Sequence, residues 1–376
     1  MANKKICILT SVHHALDVRI FHKEAKTLAN AGYDVSLIAQ HDKEEIVDGI
    51  RIIPLPKPKN RLVRMLFLTR KAYKLALEQK ADIYHFHDPE LLPRMLKLKK
   101  KTKAKIIYDV HEDVPKQILS KHWIPEILRK PAACIFNIYE KSIAKKFDYV
   151  ITATPHIKEN FTQKNVIDIK NYPVVQNLKN FKNQNESKKN DFFTLIYAGG
   201  LSRLRGIKEI IQSLNFVSPK YPIRLQLLGE FDDKIFEQEI RRLKKWEKVD
   251  FLGWVPQKET IKHLSGAGIG LVCFWPEPNH INAMPNKIFE YAIAGLPIIA
   301  SNFPLWKEII EGNNCGICVN PLNPKEIAKA IEYLIEHPNE AKIMGENGRK
   351  AVLEKYNWEN ESKKLLEVYE IGRAHV

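Results

Sequence analysis

Short apolar runs, each bounded by polar turns, recur along this chain with amphipathic helical stretches between them. In the first half these runs are residues 5–12, 33–39, 49–55, 81–87, 104–110 and 149–153, the last clear strand of that half. In the second half they are 192–198, 224–228, 251–254, 268–274, 296–300 and 316–319. Runs so short and so continuously apolar fit strands buried on both faces. Residues 16–31 and 61–80 carry apolar positions at helical spacing. Strand alternating with helix predicts parallel, doubly wound sheets, an α/β fold. A length of 376 residues divides more naturally into two such domains than one.

The division is visible. Asn171 to Asn190 includes NLKNFKNQNESKKN, too polar to bury and read as a linker. The predicted organisation is a first Rossmann-like domain over 1–173, a linker over 174–190 and a second Rossmann-like domain over 191–355.

The formal net charge of +16 and pI near 9.4 call for anionic partners. No recognition-helix or stacked-aromatic motif accompanies the charge, so nucleic acid is not expected. No run of apolar residues is long enough to span a bilayer. The N-terminus, MANKKICILTSV, lacks a secretory h-region. Five scattered cysteines fit reduced thiols and a cytoplasmic location. Cys315-Gly-Ile-Cys318 has no second pair or His cluster to complete a zinc site. Arg61, Arg64, Lys97, Lys99, Lys100 and Lys101, with Leu62, Met65 and Trp123 close by, suit an anionic bilayer surface or an ordinary solvated face.

Candidate site residues cluster where strands end, the edge at which open α/β sheets bind ligands. The first such loop has no G-x-G-x-x-G. It holds Ser11, His13, His14, Asp17 and Arg19 instead, fitting either a polar ligand or a plain loop with an Asp17 cap. His85, His87 and His111 end later strands. A satisfied core histidine is the expectation for His85. His111, beside Asp109, Glu112 and Asp113, reads as a hydrogen-bonding or acid–base group. In the second half, Gly199-Gly200-Leu201-Ser202-Arg203-Leu204-Arg205-Gly206 joins close-approach glycines to two arginines, a loop suited to a diphosphate. Residues 276–301 then give loop, helix and strand, with Pro285 expected in the first helical turn. Lys287 in that turn opposes the helix dipole unless an anion sits there. Glu290 shares its face, so the pair fits either a phosphate-and-sugar site or a solvated surface pair.

Taken in order, AGGLSRLRGI, LLGE, FLGWVP and MPNKIFEYAIAGLPIIAS, with DIYHFHDPE and IIYDVHE before them, resemble family-4 glycosyltransferases over nearly the whole chain. The resemblance implies the GT-B architecture, two Rossmann-like domains facing a cleft. It implies a retaining transferase that moves a sugar from a nucleotide diphosphate sugar to a glycan or lipid-linked acceptor, on the cytoplasmic face of a membrane. No cofactor is expected, and with no D-x-D in the chain, no metal. His111 would act at the reacting centre. Gly200, Arg203, Arg205 and Lys287 would hold the diphosphate and Glu290 the ribose. Asn282, Met284, Pro285 and Asn286 would contact the donor sugar, and His13, Asp17, Arg19 and His87 would face the acceptor or cleft. Two departures stand out: Asn282 replaces the family's first motif glutamate, and Gly200 replaces its usual loop arginine. Residues 356–370 resemble the family's closing helix, which returns to the N-terminal domain. The last residues, 371–376, IGRAHV, are what a common sequencing adapter would encode and are expected to be non-native.

Overall fold

The computed structural model describes residues 3–119, 121, 124–175 and 192–370. Most of the expected linker and the whole of 371–376 lie outside them, as does Trp123. The chain forms two units. Residues up to Asn171, with Trp358 onward, make the first; Tyr172 to Asn357 make the second.

The first unit is built on eight strands: β1 Lys5–His14, β2 Asp34–Gln40, β3 Glu45–Val47, β4 Ile50–Leu55, β5 Ile83–Phe86, β6 Lys105–Val110, β7 Tyr149–Thr152 and β8 Val166–Asp168. They lie in the order β3-β4-β2-β1-β5-β6-β7-β8. All neighbours are parallel except β3 and β4. The order reverses at β1 and β5, where Leu9 pairs with Phe86. Ligand sites of doubly wound folds open at such a reversal. The second unit has six strands, β9 Phe193–Ala198, β10 Ile223–Leu228, β11 Val249–Gly253, β12 Ile269–Val272, β13 Ile298–Ser301 and β14 Gly316–Val319. Their order is β11-β10-β9-β12-β13-β14, all parallel, with the reversal between β9 and β12.

The structure departs from the sequence reading at several places. β7 is not the last strand of the first unit: β8, too short to show a pattern, follows it. β3 was not foreseen either; it is an edge hairpin partner of β4. β1 continues to His14, because the strand resumes its pairing with Gln40 after a register shift. The helix expected from residue 16 begins at Ile20, with a wide π turn over Ile20–Ala25. Asp17 sets that start, its Oδ1 accepting from the Arg19 and Ile20 amides at 2.8 and 3.0 Å. Pro285 precedes its helix rather than entering it. Its ψ of 132° is extended, and the helix runs Asn286–Ile293.

The returning helix, Trp358–Glu370, is fastened to the first unit by buried polar contacts. The Trp358 indole donates to Thr27 Oγ1 at 2.9 Å, and the Lys170 amide donates to Glu361 at 2.9 Å. Tyr369, fully buried, bonds His85 Nδ1 at 2.7 Å through its hydroxyl. His85 is thus a core histidine, as expected, but satisfied only at Nδ1; its Nε2 lies 3.6 Å from Asp109 Oδ2. Removing that hydroxyl would strand a buried ring nitrogen, at a cost of roughly 1–3 kcal/mol. Tyr369→Phe should therefore lower the urea midpoint of unfolding. An unchanged midpoint would show that the Tyr369–His85 bond adds nothing to the helix's attachment.

Candidate functional site

In the second unit the loop after β9 and the helix after β12 meet around Lys287. Lys287 is buried, 8% exposed, in the first turn of the Asn286–Ile293 helix. A solvated surface pair is thereby ruled out for it. Its ammonium donates to Tyr197 Oη at 2.7 Å and lies over the Tyr197 and Phe274 rings, 3.9 and 5.0 Å from their centres. Burial and the neighbouring Arg205 push its pKa well down, while Glu290 raises it. The Tyr197 hydroxyl in turn donates to the Gly200 carbonyl at 3.0 Å.

The glycines explain how the backbone comes so close. Gly199 has φ 126°, and a Cβ there would lie 2.8 Å from Lys287 Nζ. At Gly200 a Cβ would lie 2.7 Å from Arg205 Nη1. Arg205 folds back over the loop and donates to the Gly200 carbonyl at 3.1 Å. Arg203 goes elsewhere: it pairs with Glu239, stacks on Phe236 at 4.9 Å, and is displaced from the cradle that the sequence suggested.

The helix itself starts uncapped. Pro285 offers no side-chain cap, and among the described residues no side-chain bond to the Asn286 or Lys287 amide is seen, leaving N–H donors suited to an anion. Asn282, Met284, Pro285 and Asn286 are half-buried along the approach to it. The Ala283 carbonyl there accepts from the Trp306 indole at 2.7 Å, and Met284 Sδ lies 4.0 Å from the Tyr172 hydroxyl. Glu290 is half-buried one turn further on. The loop also keeps Trp275 Nε1 and Asn279 Oδ1 buried without a protein partner.

In the first unit a cavity of ≈ 370 Å³ opens at the sheet reversal, lined by His13, His87, Asp88, His111, Arg64 and Gln117 among others. His111 Nε2 lies 3.1 Å from His13 Nε2, and its Nδ1 is 3.7 Å from Asp109 Oδ1. Burial lowers the pKa of His13, but the bond to Asp17 and the charges of Asp88 and Asp17 outweigh it and raise the ring overall. Arg19 is not at a ligand surface. It is buried, with Nη2 2.7 Å from Asp109 Oδ2, Nε 2.9 Å from Glu24 Oε1, and Nη1 donating to the Ile169 carbonyl at 3.0 Å. His87 is buried too and stacks on His85 at 4.7 Å. Burial, then His85, hold it well below the usual histidine value, so it is neutral. Glu24, His85, His87 and Asp109 place ligand atoms within 4.8 Å of one another, a set that could hold a cation, but Arg19 already pairs with both carboxylates.

Sequence reasoning missed three groups. Tyr197 holds Lys287; its signal was its place two residues before Gly199, on the same strand face. Asp88 and Glu90 stand in the HFHDPE segment that drew attention only for its histidines. Asp88 Oδ2 gathers the Thr10 hydroxyl at 2.8 Å and the Ser11 amide at 2.5 Å. Glu90 takes Ser11 Oγ at 2.7 Å and Arg64 Nε at 3.1 Å.

Comparison with known proteins follows these two units. Residues 18–177 match the model described as Glycosyltransferase Family 4, and residues 178–351 match Glycosyl transferases group 1. The capsular polysaccharide biosynthesis glycosyltransferase CapM of Staphylococcus aureus is 28% identical over 174 residues, 45% of this chain and 43% of that protein. The chain thus spans about half the length of such curated relatives. Sucrose-phosphate synthase from Thermosynechococcus elongatus superposes with a TM-score of 0.79 at 19% identity, covering 100% of both chains. Anabaena Alr3699/HepE, solved in complex with UDP-glucose, superposes with a TM-score of 0.71 at 16% identity, covering 98% of this chain and 99% of that one.

Burial of Lys287 has a measurable signature. An unfolded lysine titrates near 10.5, and this one titrates well below that. Between the two values the unfolded chain binds the extra proton, so stability rises with pH across that window. Lys287→Met removes the effect. Without ligand it should unfold no more easily than wild type at neutral pH, and any advantage should shrink as pH approaches 10.5. Urea melts across pH would read this; a variant clearly weaker at neutral pH would mean the ammonium is already well paired.

Proposed function

This chain belongs to the family-4-like glycosyltransferases of GT-B type, and from that premise we propose that it transfers a sugar from a nucleotide diphosphate sugar to a glycan or lipid-linked acceptor. The observation that carries the donor is Lys287: a buried ammonium beside Arg205, at an uncapped helix start, with a phenol for its hydrogen-bond acceptor. An isolated buried charge is costly, and a diphosphate would offset that cost. The same groups act in the reaction. As the bond from the anomeric carbon to the diphosphate breaks, charge grows on the departing oxygens, where Lys287, Arg205 and the helix amides stabilise it. Glu290 holds the ribose. Asn282, Met284, Pro285 and Asn286 contact the sugar, the first through an amide rather than a carboxylate.

Retention at the anomeric carbon, and hexosyl or N-acetylhexosaminyl as the group moved, belong to the same proposal. In the first unit His111 is the reacting-centre group, and the cavity it lines with His13 receives the acceptor. The reading includes a cytoplasmic location and an anionic membrane surface as partner. Arg61, Lys100 and Lys101, all exposed on the first unit, support it, whereas Arg64 and Lys99 are paired with Glu90 and Asp148; no helix among the described residues is long and apolar enough to cross a membrane.

Thermal-shift screening against nucleoside diphosphates and their sugars tests the donor directly, since binding raises apparent stability. No shift with any of them would remove the proposal's basis. With the cognate nucleotide in hand, Glu290→Ala should weaken binding by roughly 1.5–3 kcal/mol in calorimetry; equal affinity would take Glu290 off the ribose. His111→Ala should slow turnover by about a hundredfold and leave nucleotide affinity alone. A variant that melts lower yet turns over normally per folded molecule would make His111 structural.

A further inference from the structure

The Glu126–Ala144 helix buries Ala133, Glu140, Ile143 and Ala144 against the first unit. Its other side is the unusual one. Ile127, Ile135 and Ile138 are 84%, 69% and 63% exposed, and Pro131 and Cys134 are exposed with them. At 100° per residue these five fall on one narrow stripe, opposite the buried positions. Leu128 flanks the stripe at 53% exposure. A soluble surface rarely carries so many contiguous aliphatic side chains without using them.

The charges beside the stripe are mostly basic. Lys130 is exposed and Arg129 and Lys141 are half-buried, while Lys145 and Lys146 are exposed just beyond the helix end. Glu140 is buried under the helix and accepts from the Tyr108 hydroxyl at 2.7 Å, so the acidic residue on the exposed side is Glu126, in the first turn. A second patch lies on the helical segment from Arg61, where Leu62 and Phe67 are 70% and 68% exposed beside Arg61 and Arg70. The first-unit cavity is lined by residues next to both segments in sequence, Arg61 and Arg64 for one, Gln117 and Lys121 for the other.

Resting on the membrane partner proposed above, we infer that the Glu126–Ala144 helix is an insertion element, its Ile127–Ile135–Ile138 stripe dipping into the acyl boundary of an anionic bilayer. Helices of this kind lie in the interface plane, held by apolar contact and steered by basic neighbours. A second copy of the chain fits less well, because two molecules of net charge +16 repel. Arg61 and Lys121 both line the cavity and adjoin the two apolar segments in sequence, so docking through those segments would bring the cavity lining to the headgroup layer. The acceptor class follows: a glycan on a lipid anchor, met at the headgroup layer.

Salt separates the two components of binding, because it screens surface charge and leaves apolar insertion in place. Full-length protein is sedimented with vesicles of phosphatidylcholine alone and of phosphatidylcholine with phosphatidylglycerol, at low and high salt. Binding to the acidic vesicles should be strong at low salt and should persist in part at high salt. Ile135→Glu/Ile138→Glu changes exposed positions only, so it should melt as wild type. It should lose the salt-resistant share, with affinity down roughly tenfold or more. Ile135→Leu/Ile138→Leu should keep it. Low-salt binding that the Glu pair leaves unchanged overturns the insertion element but leaves a purely electrostatic membrane partner. No binding to acidic vesicles at any salt overturns both, while donor binding in the thermal-shift screen still stands or falls separately. A wild-type dimer in sedimentation equilibrium that the Glu pair dissociates overturns the inference by assigning the stripe to a second copy.

Discussion

The carboxyl edge of the second sheet is shaped around one ammonium group held out of water. Lys287 lies against the bare Cα of Gly199, over two aromatic rings, with the Tyr197 hydroxyl as its acceptor. Each neighbour is held by something further back. Gly270 has no side chain because Tyr291 fills that space; a Cβ would come within 2.3 Å of its ring. The Tyr291 hydroxyl accepts from the Ala198 amide at 2.8 Å, fixing the end of β9 from which the glycine loop departs. At Gly206, φ is 69° and a Cβ would lie 1.9 Å from the Cys273 carbonyl, so the loop's exit is pressed against β12's continuation. The backbone is brought close to one buried cation in the first turn of a helix. That arrangement is expensive for an empty protein and sensible for one that meets an anion.

The first unit handles its buried charges the other way, by neutralising them internally. Arg19 sits between Glu24 and Asp109. Burial works to raise Asp109, but Arg19 and the nearby His111 and His85 rings hold it well below the carboxylate range. Glu24 is pushed well up, by burial first and then by Asp109. Asp109 is thus the carboxylate favoured to carry charge against the guanidinium. His87 is neutral for the same reason of burial. No charge is left over for a ligand among these groups. What the first unit offers at its cavity is polarity, from His13, His111 and Gln117. The contrast bears on the division of labour between the units. Buried Lys287 in the second unit has a phenol as its hydrogen-bond acceptor, whereas buried Arg19 in the first is held by two carboxylates.

How legible this was depends on the range of each interaction. Strand cores were readable because burial on both faces leaves a continuous apolar run, as over Ile269–Val272 and Ile298–Ser301. Lys287 was readable as a local conflict between a cation and a helix start. β3 and β8 were not, being only three residues each. The π turn over Ile20–Ala25 leaves no mark in an apolar pattern that fits an α-helix nearly as well. Arg19 looked like a loop cation because Asp109, which buries it, lies ninety residues away in sequence. Arg203 and Arg205 were equivalent on paper. Only the placement of Glu239, on a separate helix, separates them.

The same placement gives the two departures from the family pattern a common physical reading. An arginine at position 200 would start from a Cβ 2.7 Å from Arg205 Nη1, where two guanidinium groups would compete for one space. Glycine there lets Arg205 lie over the loop and bond the Gly200 carbonyl. The cation is therefore supplied from the loop's far end instead of its start. Arg203, neutralised by Glu239, adds little. The cradle is left with one ammonium, Lys287, and one guanidinium, Arg205, among the described residues. Asn282 in place of a glutamate then matters less for charge than for geometry. An amide can both donate and accept, where a carboxylate only accepts. A sugar hydroxyl facing Asn282 is free to act as acceptor as well as donor, and a donor sugar chosen by this site would be chosen by that difference.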